Sequence, residues 1–266
     1  MTDDNSQPET GEEALEETSL ISHLVELRNR LIRASLAVLV IFLCLVPFSE
    51  QVFTMVAQPL ISALPEGSTM IATQVASPFL TPFKTTLWVS LFLAMPVVLY
   101  QVWGFVAPGL YKQEKRFAIP LVISSILLFY AGLAFAYGVV FPLMFAFFNS
   151  VAPEGVTVMT DINNYLDFVL VIFFAFGIAF EVPIATVMLV WSGLTTPQKL
   201  GQSRAYVFLG AFVAGMLLTP PDIISQTLLA VPIYLLYEVG IIMARVMVPA
   251  KDADTEDSET DDGAAS

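Results

Sequence analysis

Cysteine and histidine occur once each in this chain of 266 residues, as Cys44 and His23, and lysine and arginine together number 11. Each scarcity removes a class of function. A lone cysteine within an apolar run excludes an internal disulfide and a Cys-based metal site. A lone histidine excludes a multi-His zinc or haem centre. The two together leave little from which to build the catalytic constellation of a membrane enzyme. No G-x-x-x-x-G-K-[ST] loop is present to hold a nucleotide, so the chain is not expected to hydrolyse ATP, and no cofactor is expected.

Apolar residues are what the chain has in abundance: 56% of it is hydrophobic, 13% is charged, and the mean hydropathy is +0.76. Such a composition would make a soluble domain insoluble. Uncharged or nearly uncharged stretches run over 31–48, 85–107, 117–150, 168–194, 205–219 and 223–244. Most reach or approach the roughly 20 residues a helix needs to cross a hydrocarbon core. Basic residues punctuate them on alternate sides. Arg28, Arg30 and Arg33 flank the first run, Lys112, Lys115 and Arg116 follow the second, Lys199 and Arg204 follow the fourth, and Arg245 and Lys251 follow the last. The connections 49–83 and 151–167 carry no base, and Lys84 is the one exception to the pattern. Cationic loops stay in the cytoplasm, which predicts six crossings and two cytoplasmic termini. The expected fold is an all-α polytopic membrane protein.

The net charge of −13 belongs to the ends. Seven acids and no base precede Ser19, and seven acids with one base follow from Lys251, leaving ten acids against ten bases between. The expected organisation is a disordered acidic tail over 1–18, a membrane domain over 19–248, and a second disordered acidic tail over 249–266. The first run is not expected to be a cleaved signal, because a long polar tail precedes it and no small-x-small site follows.

The runs are unequal. The third exceeds one crossing, and the fifth spans only about 22 Å at roughly 1.5 Å per residue. Pro96, Pro142, Pro183 and Pro232 each remove a backbone bond inside a run and tend to bend it. Bent helices of unequal length predict a curved, cupped scaffold. Asp167 lies at the edge of the fourth run, where water is in reach, and Glu238 in the last run suits snorkelling or a structural hydrogen bond. Glu181 sits well inside the fourth run, two residues before Pro183. An intramembrane carboxylate beside a helix break is a functional candidate by default.

Ser22–Leu31 reads as an amphipathic helix entering the membrane, with Ser22 as N-cap and Glu26 and Arg30 spaced for an intrahelical ion pair. The second basic connection, 108–116, places Glu114 among three bases. If Glu26 and Glu114 face one hollow, they form a site with two carboxylates suited to two guanidinium groups, because Arg pairs with carboxylates in a planar bidentate fork and Lys does not.

S-H-L-x-E-L-R at 22–28, M-I-A-T at 70–73 with Pro78 and Phe79, Y-Q-V-W-G-F-V-A-P-G-L at 100–110, F-E-V-P at 180–183 and G-M-L-L-T-P-P-D at 215–222 make the chain resemble the TatC family of the twin-arginine protein translocase. The resemblance covers residues 22–246 and lies close to enterobacterial-type members. It implies a cupped six-helix protein of the bacterial inner membrane that self-associates in a larger complex within the lipid bilayer. It implies recognition of folded cargo carrying S-R-R-x-F-L-K-type signal peptides and export driven by the protonmotive force. On this resemblance Glu26 and Glu114 receive the arginine pair, and Leu27, Arg28, Phe105 and Pro108 join the recognition surface. Glu181 lies in the concave face. Met216, Thr219 and Gln226 form a polar patch for the single-helix partners TatA and TatB, and Asp222 serves transport. Gly104 and Gly109 depart from a frequent alanine. The competing reading from the residues alone is a proton-coupled secondary transporter of a small solute, which would need a second polar group paired with Glu181.

Overall fold

Helices follow the apolar runs, and their breaks follow proline and polar residues. In the computed structural model the described residues are 9–63, 71–106, 115–151, 161–219 and 222–247. Among them the only extended pairing is an isolated parallel bridge between Ile71 and Asp161. Helix α1 (Glu9–Leu45) passes through a short 3-10 turn into α2 (Ser49–Ala63). Then come α3 (Ser77–Val106), α4 (Lys115–Phe135), a π-helical turn at Ala136–Val140, and α5 (Phe141–Val151). The rest is α6 (Ile162–Ala179), α7 (Val182–Trp191), the short α8 (Pro197–Gln202), α9 (Arg204–Leu218) and α10 (Ile223–Met247). Five helical spans, Ile21–Gln58, Ser77–Val106, Ile119–Phe148, Ile162–Trp191 and Ile223–Met247, are long and apolar enough to cross a membrane, and α9 is a shorter apolar helix. The six runs and the short fifth one are thus present.

Two local expectations change. α1 begins at Glu9, so Ser22 lies in mid-helix rather than at an N-terminus, and the helix enters the tail expected to be disordered up to residue 18. The expected tail over 249–266 lies outside the described residues. The prolines also divide into two kinds. Pro142 follows the π-turn and Pro183 follows a break at Phe180–Glu181, each at the start of a new helix where its missing N–H costs nothing. Pro96 and Pro232 remain inside continuous helices.

The chain forms two compact units, residues 1–126 with 155–170, and residues 127–154 with 171–266. In the first, α1 and α2 pack on α3. The polar residues that α3 buries turn back on their own helix: Thr85, Thr86 and Ser90 donate to the carbonyls of Thr81, Pro82 and Thr86 at 2.9, 2.8 and 2.6 Å. That satisfies each hydroxyl without water. The Trp103 indole donates to the buried Ser125 hydroxyl at 2.8 Å, and Lys84 forms an ion pair with Asp167. Lys84, the exception to the basic pattern, is therefore neutralised by the acid at the edge of the fourth run.

In the second unit α10 packs on α7, α8 and α9. Phe129 and Phe176 are among its fully buried side chains. A Cβ at Gly132 would come within 2.5 Å of the Phe176 carbonyl oxygen, so α4 and α6 approach backbone to backbone there. Small residues permit such contacts between membrane helices, where dispersion rather than water exclusion drives packing.

Candidate functional site

His23, Glu26 and Arg30 recur at i, i+3 and i+7 and so share one face of α1. That face meets the end of α3. The His23 and Phe105 rings stack with centroids 4.3 Å apart and planes 22° from parallel. Arg30 reaches back one turn to Glu26: its Nε and Nη2 both donate to Oε1, at 2.9 and 2.5 Å. The intrahelical pair expected from the spacing forms. Arg28 points elsewhere, its Nη2 donating to Asn29 Oδ1 at 3.3 Å in an exposed contact. Leu27 is 42% exposed although apolar. The structure therefore brings Glu26 and Phe105 to one junction through Arg30 and His23, and it leaves Leu27 and Arg28 at the surface. Pro108 and Glu114 lie outside the described residues.

Glu181 sits in the break between α6 and α7. The cause is Pro183, which has no N–H to return to the carbonyl of Ala179. Upstream of it the backbone tightens. Phe180 N–H still reaches the Phe176 carbonyl at 3.0 Å, but Glu181 N–H bonds the Ile178 carbonyl, one residue nearer than a regular helix would use, also at 3.0 Å. Regular bonding resumes with Ala185 N–H to the Glu181 carbonyl at 2.9 Å. The residue is partly buried within the second unit. Its carboxylate thus occupies an irregular turn, as expected from the proline.

Met216, Thr219, Asp222 and Gln226 belong to the junction of α9 and α10. The two helices meet at Gly215, where an added Cβ would stand in ordinary contact, 3.4 Å, with the Gln226 carbonyl oxygen. Thr219 is 6% exposed and its hydroxyl donates to the Gly215 carbonyl at 2.9 Å. Met216 faces outward, 53% exposed. Asp222 caps α10: its Oδ1 accepts from Ser225 N–H at 2.7 Å, and its carbonyl accepts from Gln226 N–H at 3.2 Å. Cap geometry places an anion where the helix dipole welcomes it. The patch is therefore a helix crossing with one outward methionine, and its threonine proton is already committed.

Two further polar arrangements join residues distant in the sequence. Arg204 clamps Glu238 across helices, with Nε to Oε1 at 2.6 Å and Nη2 to Oε2 at 2.8 Å. Of the two expectations for Glu238, the structural hydrogen bond is the one present, as half of a bidentate pair. Asp161 clasps the 71–73 segment: its Oδ2 accepts from the Thr73 hydroxyl at 2.6 Å and the Thr73 N–H at 3.0 Å, while Oδ1 accepts from Asn163 and Asn164 N–H, each at 3.0 Å. These donors, the Thr73 hydroxyl foremost, lower its carboxyl to about 2 from the usual 3.8. The M-I-A-T motif supplied the only sequence signal for that clasp. Among the described residues no cluster of acids, histidine or cysteine could hold a metal ion.

The family model for the Sec-independent protein translocase protein (TatC) matches residues 22–232. The TatC protein of Azotobacter chroococcum mcd 1 is 64% identical over 222 residues, covering 84% of this chain and 87% of that protein. The TatC protein of Escherichia coli K12 is 60% identical over 229 residues, covering 86% and 89%. A crystal structure described as the twin-arginine translocase receptor TatC superposes with a TM-score of 0.76 at 39% identity, covering 84% of this chain and 98% of the solved one. A match of this extent leaves no room for a small-solute carrier or an enzyme: the chain belongs to the TatC family of Sec-independent protein translocase proteins.

Proposed function

We propose that this translocase subunit is the receptor for twin-arginine signal peptides, and that Glu26 is a carboxylate which takes a signal arginine. The observation that carries the reading is the state of Glu26. Its side chain is 42% exposed, beside the Phe105–His23 stack, and among the described residues its partner is Arg30, through Oε1. An anion that is reachable and engaged on one oxygen suits a planar guanidinium ligand. Glu114, Leu27, Arg28, Phe105 and Pro108 complete the proposed surface. Met216, Thr219 and Gln226 are proposed to receive the single helices of TatA and TatB, Glu181 to offer them a polar contact, and Asp222 to support transport. Both termini and the recognition surface are proposed to face the cytoplasm of the bacterial inner membrane, on the distribution of basic residues. Export is proposed to draw on the protonmotive force.

The experiment is site-specific cross-linking of a twin-arginine signal peptide to Glu26→Gln and Glu114→Gln variants. Each should weaken binding by about 1.5–3 kcal/mol, the value of a charge-assisted pair, with membrane insertion intact. Unchanged cross-linking in Glu26→Gln would remove this residue from the receptor site.

A further inference from the structure

Arg30 has no role in the surface proposed above, yet it is the group that holds Glu26. Its Nε and Nη2 converge on Oε1. Its remaining nitrogen, Nη1, lies over Gly104 of α3, where an added Cβ would overlap it and come 3.2 Å from Cζ. The arginine side chain is 23% exposed against 42% for the carboxylate. An ordinary i,i+4 pair extends both chains along the helix surface. Here the cation is tucked against a second helix and the anion is left accessible.

We propose that Arg30 is an internal guanidinium ligand of Glu26, seated by the missing side chain at Gly104, and that an incoming arginine gains the carboxylate by displacing it. The proposal rests on the reading of Glu26 as the receptor carboxylate. A guanidinium binds a carboxylate best through two parallel bonds, one to each oxygen. Arg30 puts both of its bonds on Oε1, so a side-on arginine cannot form while it stays. An ammonium is a compact point charge and fits at Oε2 beside it. Arg30 is then a specificity-determining residue: arginine must evict it, whereas lysine binds weakly alongside. A partly exposed intrahelical pair is weak, so eviction lowers apparent affinity only by a small factor.

The test measures binding of two peptides, one of S-R-R-x-F-L-K type and its twin-lysine counterpart, to the full chain solubilised with the subunits that accompany it. Arg30→Gln and Gly104→Ala are compared with the unaltered protein. Both should bind the arginine peptide about two- to five-fold tighter. The lysine peptide should hardly change, so the preference for arginine widens. Gly104→Ala keeps every charge, and agreement between the two variants separates eviction from simple loss of a positive charge. Adding Arg30→Gln to Glu26→Gln should change nothing further. Equal tightening for both peptides, or no tightening of arginine binding while Glu26→Gln still weakens it, overturns the proposal alone. If Glu26→Gln itself leaves arginine binding unchanged, the receptor reading and this proposal fall together. A folding defect in Arg30→Gln, read as lost heat resistance, leaves Gly104→Ala to decide.

Discussion

Glu26 and Glu238 each meet an arginine, and the two pairs are built differently. Arg30 comes from the same helix, one turn away, and places both bonds on one oxygen of Glu26. Arg204 comes from the start of α9, 34 residues away in sequence, and gives each oxygen of Glu238 its own nitrogen. The neighbouring glycines repeat the contrast. What fills the space at Gly104 is the tip of a flexible arginine. What fills the space at Gly240, on the same helix as Glu238, is Thr186 Oγ1 and, within 2.9 Å, the Cα of Pro183. Thr186 cannot yield, because its hydroxyl is bonded to the Val182 and Pro183 carbonyls at 3.0 and 2.8 Å. A carboxylate engaged on one oxygen beside a soft neighbour is poised for exchange. One engaged on both oxygens beside backbone is architecture.

The largest effect should come from making the same substitution at the two glycines. Gly240→Ala forces a methyl into a packed backbone contact and should cost about 1–3 kcal/mol, the usual range for overpacking. Gly104→Ala should leave stability nearly unchanged, because only an arginine tip has to move. Heat-induced unfolding of the two purified variants in detergent makes the comparison. Equal losses would mean that the junction of α1 and α3 is as rigid as that of α7 and α10, and the contrast would break.

What was legible in the sequence follows from which interactions are local. A lipid crossing demands a continuous apolar run, so the six runs and the short α9 could be read directly. The break at Glu181 was legible because a proline withdraws its hydrogen bond within four residues. The Glu26–Arg30 pair was legible from helical spacing alone. The Arg204–Glu238 and Lys84–Asp167 pairs were not, since each depends on where two distant helices cross. Neither was the seat of Arg30 on Gly104, for the same reason. Ser22 misled because a capping residue is informative only where a helix starts, and α1 starts at Glu9.

A smaller effect sharpens the comparison with a third carboxylate. Asp161 is held on both oxygens, by the Thr73 hydroxyl and three backbone N–H groups, and by the contrast above it is architecture. Its folded value, about 2, lies below the ordinary 3.8. A lowered carboxyl adds stability that is fully present above the unfolded value and is lost as the pH falls through the folded one. The clasp between 71–73 and the start of α6 should therefore hold from neutral pH to about pH 4 and open between about 4 and 2. Amide exchange of Thr73 and Asn164 followed through this window checks it. Asp161→Asn should show faster exchange already at neutral pH, because one oxygen is replaced by a donor. Exchange in the unaltered protein that rises near pH 6 would show that the clasp does not depend on this carboxylate.

The smallest effect is expected at Glu181, where the contrast separates a receptor scaffold from proton chemistry. Its position in an irregular turn before Pro183 makes it a polar group on a bent helix, and its proposed work is to offer a hydrogen bond to a partner helix. Gln keeps a side-chain carbonyl and adds a donor, so Glu181→Gln should export cargo at close to the unaltered rate. Glu181→Leu removes the polar atoms and should lower both export and cross-linking to the partner helix. Signal-peptide binding should survive both changes, since the carboxylate proposed to take the signal arginine is Glu26. A group that cycled a proton would behave otherwise: Gln does not titrate in this range, so Glu181→Gln would then be as damaging as Glu181→Leu while partner cross-links stayed intact. Export and cross-linking measured side by side on the two variants decide between these outcomes.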